Sequence, residues 1–199
     1  MGGEVQLPEP LIQRIQYFLV GKEAARTTVL SKSWRNAWLT RPNLVFDETD
    51  FYPETHKCLE YAKKTIQRYG ESNSKIESFK LCIRNEWSVS SDHVKEIILA
   101  ALKLRATHLS FKLLRDFVLP NEVFGSENLV GLSVEGCNID LGIMSQKVTR
   151  CSRLGSLCLY SVGIENHMIS HIISSCPLIE NLSLTDINDF YVGRRNAVL

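Results

Sequence analysis

The chain has 199 residues, of which 44% are hydrophobic and 23% charged, and this composition is typical of a globular protein rather than a disordered one. Its length allows one domain or two small ones. The formal net charge of +1 gives no general attraction to nucleic acid or to acidic lipid.

Targeting signals and membrane spans are not expected. No apolar run approaches the roughly 20 residues of a membrane helix, and the first ten residues have neither the basic nor the apolar region of a secretory signal. The six cysteines form no CxxC pair, so buried thiols in a reducing compartment are expected rather than disulfides or zinc ligands. We therefore expect the protein in the nucleus, the cytoplasm or both.

Three short amphipathic helices are predicted between Leu7 and Leu39. The first begins near Pro8 and Pro10 and ends at Gly21, and the second covers Lys22 to Leu30 with a face of small residues. One face of the first helix carries the apolar residues Leu11, Ile12, Ile15, Phe18 and Leu19. The stripe of the third helix consists of Leu30, Trp34, Ala37 and Trp38. A unit this small has more apolar surface than its helices can cover, so it packs on the rest of the chain or on another protein.

This stretch resembles the F-box of plant F-box/leucine-rich-repeat proteins. The match runs through Leu7-Pro8, the apolar positions of the first helix, the run Ala24 to Arg35, and Trp38. The resemblance implies an F-box domain at residues 1–42 that binds a Skp-type adaptor and, through it, a cullin ubiquitin ligase. The residues implied in adaptor binding are Leu7, Pro8, Leu11, Ile12, Ile15, Leu19, Val29, Leu30 and Trp34.

Residues 43–75 are predicted to form a linking strand and helix. Leu44 to Phe46 is a short apolar run suited to a strand, and Pro42 precedes it. A helix fits Glu54 to Tyr69, with Gly70 as its end. Its inner face is Cys58, Leu59, Ala62, Ile66 and Tyr69.

Residues 76–199 repeat a pattern of apolar positions. Its middle position is occupied by Phe79, Leu109, Leu132, Leu157 and Leu182, so the steps are 30, 23, 25 and 25 residues. The last three steps lie within the 20–29 residues of leucine-rich repeats. Helices are predicted from Asp92 to Leu104, capped by Ser91, and from Asn166 to Cys176. The fold class is therefore an α+β repeat solenoid: an N-terminal three-helix F-box, then leucine-rich repeats with parallel strands on the concave face.

Alternation along each strand places small and polar side chains on the concave face. The candidates for substrate contact have reach, charge or hydrogen-bonding groups, and they are Lys80, Lys112, Glu135, Tyr160 and Thr185. No polar capping repeat follows Leu184, so we expect a truncated or alternative product, or an open end covered by a partner.

No catalytic, metal or cofactor site is predicted. His167 and His171 are one helical turn apart, but no third ligand is evident, and both are expected in solvent. Cys158 and His171 are expected on opposite sides of the solenoid, which separates a nucleophile from its base. Trp34 and Trp38 share an apolar helix face, which favours packing over stacking on bases.

The sequence thus indicates a non-enzymatic adaptor that recruits a protein substrate to a Skp–cullin–F-box ligase. Two alternatives stay open: a leucine-rich-repeat binding scaffold outside any ligase, and a truncated form that competes for the adaptor. A cysteine- or zinc-dependent hydrolase is a more distant reading.

Overall fold

The computed structural model describes residues 7–19, 21–72, 74–84, 90–140 and 151–188. Residues 1–6 of the predicted F-box and the tail from 189 to 199 lie outside this part of the chain. In the described part, three short helices come first: α1 (Glu9–Tyr17), α2 (Gly21–Arg26) and α3 (Lys32–Leu39). A 3₁₀ turn at Thr27–Val29 separates the second from the third.

The boundaries of these helices differ from the prediction. The second helix ends at Arg26 rather than at Leu30, because the 3₁₀ turn follows it. Gly21 begins α2 instead of ending the first helix, which already ends at Tyr17. Leu30 precedes α3, because Ser31 is its N-cap and accepts a hydrogen bond from the backbone N–H of Trp34. A serine cap satisfies a backbone donor that would otherwise have no partner at the helix start.

A parallel sheet occupies the rest of the described chain. Its strands are β1 (Asn43–Asp47), β2 (Ser78–Cys82), β3 (His108–Lys112), β4 (Gly131–Glu135), β5 (Ser156–Tyr160) and β6 (Asn181–Thr185), and they follow one another in space as they do in sequence. Phe79, Leu109, Leu132, Leu157 and Leu182 are aligned in register across β2 to β6. The equivalent positions of the predicted repeats are therefore the positions that are paired between neighbouring strands of the sheet.

Helices α4 (Lys57–Glu71), α5 (Ser91–Lys103) and α6 (Asn166–Ser175) lie in the connections between strands. All five predicted inner residues of α4 are buried. The cap of α5 is Ser90 rather than Ser91, since the Ser90 side chain accepts from the Asp92 N–H. Between β3 and β4 the chain forms only a 3₁₀ turn at Asn121–Val123, so the helix of the predicted repeating unit is absent there. None of the described helices is long and apolar enough to cross a membrane.

The apolar positions of the strands form one continuous core, in which each repeat covers its neighbour. Leu157 and Leu159 on β5 are at most 1% exposed, whereas Leu182 and Leu184 on β6 are 43% and 39% exposed. The difference arises because no described repeat follows β6. Cys137 and Ile139, which follow β4, are also buried.

The turns after the strands depend on an unusual backbone conformation. Gly136, Ser161 and Asp186 follow β4, β5 and β6 directly, and all have positive φ angles, of 84°, 52° and 52°. A side chain is strained in this region, and a Cβ at position 136 would also overlap the carbonyl oxygen of Leu113. Position 136 therefore requires glycine for two reasons.

We predict that Gly136→Ala lowers the free energy of unfolding by about 2 kcal/mol, from the strained φ and the overlap with Leu113. Urea unfolding followed by circular dichroism measures this. Gly155→Ala is the matched control, because a Cβ there meets its nearest atom at 3.6 Å. Equal effects of the two substitutions would contradict the argument.

Candidate protein-interaction surfaces

The helical unit, residues 7–39, buries few of its apolar side chains. Each helix contributes one fully buried residue, and these are Ile12, Ala24 and Ala37. Most of its larger apolar side chains stay exposed: Leu7 by 40%, Leu11 by 49%, Ile15 by 40%, Phe18 by 73%, Val29 by 86% and Leu30 by 63%. A patch of this kind marks an interaction surface, because soluble proteins seldom leave large clusters of apolar side chains in water.

The residues predicted to bind an adaptor fall into three groups. Leu7, Pro8, Leu11, Ile15, Val29 and Leu30 are exposed, and Leu19 and Trp34 are half-buried. Ile12 is 1% exposed, so its predicted contact with a partner is not available to its side chain in this structure. It lies on the inner side of α1, which packs against α3.

Gln16, one helical turn after Ile12, belongs to the same inner side and was not singled out by the sequence. Its side chain is 3% exposed and donates hydrogen bonds to Thr27 Oγ1 at 2.8 Å and to the Trp34 carbonyl at 3.1 Å. These bonds join α1 to the 3₁₀ turn and to α3. The i, i+4 spacing from Ile12 places Gln16 on the buried face of the helix. A polar glutamine is nevertheless normally expected to face solvent.

Arg41 connects the helical unit to the solenoid. Its guanidinium lies 3.6 Å from the centre of the Trp38 ring and donates to the Trp38 carbonyl at 2.6 Å. Its own carbonyl accepts a hydrogen bond from the Tyr69 hydroxyl of α4 at 2.7 Å. Burial lowers the pKa of Arg41 because it disfavours the charged form, and the contacts with the Trp38 ring and the Trp38 carbonyl offset part of that cost. Nothing in the sequence pattern singles out Arg41 for this role.

The concave face carries the predicted substrate-contact residues. Lys80 and Thr185 are exposed, Tyr160 is 48% exposed, and Lys112 is paired with Glu135 on the neighbouring strand. The structure therefore aligns Lys112, Glu135, Tyr160 and Thr185 in one row across the sheet, while Lys80 lies in the adjacent row. The Lys112–Glu135 pair neutralises itself, which leaves Tyr160 as the large exposed group of that row.

Two positions expected on the concave surface are buried instead. Cys82 lies in register between Asp47 and Lys112, whose longer side chains flank it, and it is 1% exposed. The ring of His108 lies over Gly131 and buries it. A Cβ at position 131 would be only 2.6 Å from His108 Cδ2. All six cysteines are free thiols, and Cys158 is the only one that is half-exposed.

The first and second strands are joined at their ends by an ion pair that the sequence did not reveal. Arg84 Nη1 and Nη2 donate to the two carboxylate oxygens of Asp47 at 2.8 and 3.1 Å. The Arg84 backbone N–H donates to the buried carboxylate of Glu48 at 2.5 Å. Burial would raise the pKa of Asp47, but hydrogen bonds from Arg84 and Thr49 outweigh it and lower the pKa to about 2.

The residues considered as candidates for catalysis or metal binding do not form a site. His167 Nδ1 lies 3.0 Å from Glu165 and its side chain is exposed, whereas His171 is half-buried rather than in solvent as expected. Among the described residues, no group of three or more His, Cys, Asp or Glu could hold a metal ion. Cys158 lies on the concave strand β5 and His171 on α6, in the connection between strands.

A parallel solenoid with 23- to 30-residue steps and a helical unit at one end defines a leucine-rich-repeat protein. The comparisons with known proteins agree. A family model described as "FBD-associated F-box protein At5g56370, LRR repeats" matches residues 87–195. The chain belongs to this leucine-rich-repeat family of F-box proteins.

The curated relatives come from Arabidopsis thaliana. F-box/LRR-repeat protein At3g59200 is 29% identical over 191 residues, which cover 91% of this chain and 36% of the relative. F-box/LRR-repeat protein At3g58900 is 33% identical over 192 residues, which cover 90% of this chain and 57% of the relative. The chain thus spans between about a third and just over half of the length of these relatives. No solved structure is a significant match.

We predict that Arg84→Met raises the pKa of Asp47 from about 2 toward its ordinary value of about 4. Because the pKa is depressed in the fold, the ion pair stabilises the protein above pH 4, and this contribution is lost as the pH falls toward 2. Carbon-detected NMR titration of the Asp47 carboxylate measures the change. Arg153→Met, far along the chain on an exposed side chain, is the control, and an unchanged pKa in Arg84→Met would contradict the assignment.

Proposed function

We propose that this chain is the substrate-recognition adaptor of a Skp–cullin–F-box ubiquitin ligase. In this proposal the F-box spans residues 1–42, residues 43–75 link it to the repeats, and residues 76–199 recruit a protein substrate. The observation that carries the proposal is the apolar patch of the helical unit, which the other described residues leave uncovered. The names of the relatives as F-box/LRR-repeat proteins support it.

The energy available from the patch is substantial. Full burial of one leucine, valine or phenylalanine side chain stabilises a complex by roughly 1.5 to 3 kcal/mol. Leu11, Ile15, Val29 and Leu30 are between 40% and 86% exposed, so a groove on the partner that covers them recovers only part of this energy for each, roughly 4 to 7 kcal/mol in all. This offsets a large part of the cost of association of two proteins. Binding of the partner would also add contacts to the small core of the helical unit.

The proposed contribution to ubiquitin transfer is proximity. The helical unit is tied to the sheet by Arg41, Trp38 and Tyr69, so a protein bound on the concave face has a fixed relation to the bound adaptor. Tethering of this kind makes transfer to a substrate lysine effectively intramolecular. The chain needs no catalytic group of its own in this role, and we place it in the nucleus, the cytoplasm or both.

We predict that the double substitution Leu7→Ala with Pro8→Ala abolishes co-purification with a co-expressed Skp-type adaptor. Truncation of central interface residues typically costs 2 kcal/mol or more, about a 30-fold loss of affinity. Leu7 and Pro8 precede α1 and are exposed, so the repeats stay folded. Gel filtration of the co-expressed pair measures the outcome, with an equimolar complex expected for the unsubstituted chain.

The matched control for this experiment is Val118→Ala, an apolar residue of similar exposure (44%) in the solenoid. It should leave adaptor binding unchanged. If the double variant still forms the equimolar complex, the helical unit does not bind the adaptor through this patch. A chain that is monodisperse alone and forms no adaptor complex would favour the alternative of a binding scaffold outside any ligase.

A separate variant tests recruitment by the repeats. Tyr160→Ala removes the large exposed side chain of its row, and we expect at least a fivefold loss of substrate captured from extracts, with adaptor binding retained. Quantitative mass spectrometry of the captured proteins measures this. Glu180→Ala, an exposed residue outside the strands, is the control. Identical capture by both variants would exclude Tyr160 from the recruiting surface.

A further inference from the structure

A cleft of about 860 Å³ separates the helical unit from the first two strands of the sheet. Gln16, Tyr17 and Phe18 line its helical wall, and Val45 and Lys80 line its sheet wall. Its volume is within the range of cavities that bind ligands. Because Arg41 stacks on Trp38 and is tied to Tyr69, the two walls are held apart before any ligand arrives.

The sheet wall includes a free strand edge. β1 is the outermost strand, and the carbonyl of Pro42, just before it, accepts hydrogen bonds from the β2 side, from the N–H groups of Glu77 and Ser78. The backbone N–H and C=O groups of successive residues point to opposite sides of a strand. Those of Leu44 and Phe46 therefore also point toward β2, while those of Val45 point away from β2. No described strand lies on the outer side of β1, so the backbone groups of Val45 that point outward have no neighbouring strand to pair with there. Such an edge accepts an added strand.

The side chains around the cleft specify what this strand would carry. Phe18 is 73% and Val45 47% exposed, so an apolar side chain between them would cover both. Lys80 lies beside Val45 in register and is exposed. It forms no ion pair with the described residues, in contrast to Lys112, which has Glu135.

The other charges along the cleft are already engaged or lie apart from Lys80. Asp47 accepts both hydrogen bonds of Arg84, and the carboxylate of Asp50 is packed against the backbone of Gly21. Arg14 belongs to the helical wall and Glu77 precedes β2. An acidic group over Val45 would therefore meet Lys80 as its nearest unpaired cation on the sheet wall.

We propose that this cleft binds an extended peptide segment of a recruited protein as a strand added to the edge of β1. An apolar side chain of the segment packs between Phe18 and Val45, and an acidic side chain two residues away, on the same face, pairs with Lys80. The period of two follows from strand geometry. The inference deepens the proposed recruiting function, since it names the chemistry of the segment that is recruited.

The test is fluorescence anisotropy of a fluorescein-labelled heptapeptide, Ser-Thr-Phe-Thr-Glu-Thr-Ser, titrated with the whole chain in the absence of adaptor. We expect saturable binding, and at least fivefold weaker binding when the peptide glutamate is replaced by lysine. Lys80→Glu should invert this preference, so that the lysine peptide binds more tightly. A peptide N-methylated on alternate amides should lose binding, because it cannot donate to the strand edge.

Several results would overturn the inference. They are absence of saturable binding, equal affinity of the N-methylated peptide, or an unchanged preference in Lys80→Glu. Arg105→Glu, another exposed cation outside the cleft, is the matched control and should leave the preference for the glutamate peptide intact. Concentration-dependent dimerisation that excludes the peptide would assign the cleft to a second copy of the chain and also overturn it.

The outcome is independent of the ligase proposal. Peptide binding without an adaptor complex would refute the adaptor role alone, whereas an adaptor complex without peptide binding would refute the cleft inference alone.

Discussion

The register of the parallel sheet is the constraint on which the rest of the structure depends. Phe79, Leu109, Leu132 and Leu157 are aligned on successive strands, and each is covered by the repeat that follows. A shift of one residue in any strand would turn its leucines to the concave surface and its polar residues into the core. The same alternation fixes which side chains a partner can touch, so the core and the binding face are determined together.

The helical unit is stabilised in a different way from the repeats. Its internal core consists of Ile12, Ala24 and Ala37, one from each helix, and the buried Gln16, which is too little to cover its apolar surface. What stabilises its position is the contact with the solenoid through Arg41, which is held by the face of Trp38 and by α4. A unit that is fixed at one side and uncovered at the other is suited to join two proteins.

The cleft follows from these two arrangements. Because β1 is the outermost described strand and the helical unit is anchored through Arg41 and α4, the first strand keeps both an edge without a neighbouring strand and exposed side chains. The binding chemistry that we infer there, apolar beside acidic, results from Phe18, Val45 and Lys80, which are distant in sequence. Their proximity arises because Arg41 and Tyr69 hold the helical unit beside the first two strands, with the cleft between them.

The amino-acid sequence by itself determined the repeat, the strands and their buried faces, because these depend on local periodicity: the spacing of leucines at 23 to 30 residues reads directly as register. It also determined that residues 7–39 have excess apolar surface. Only the tertiary structure decided that Ile12 turns inward while Leu11 and Ile15 stay exposed, and that the Arg41 carbonyl is joined to Tyr69. It also decided that Arg84 pairs with Asp47 and that a cleft opens at Lys80. Those outcomes depend on which elements meet in space, and contacts between residues tens of positions apart leave no periodic signal along the chain.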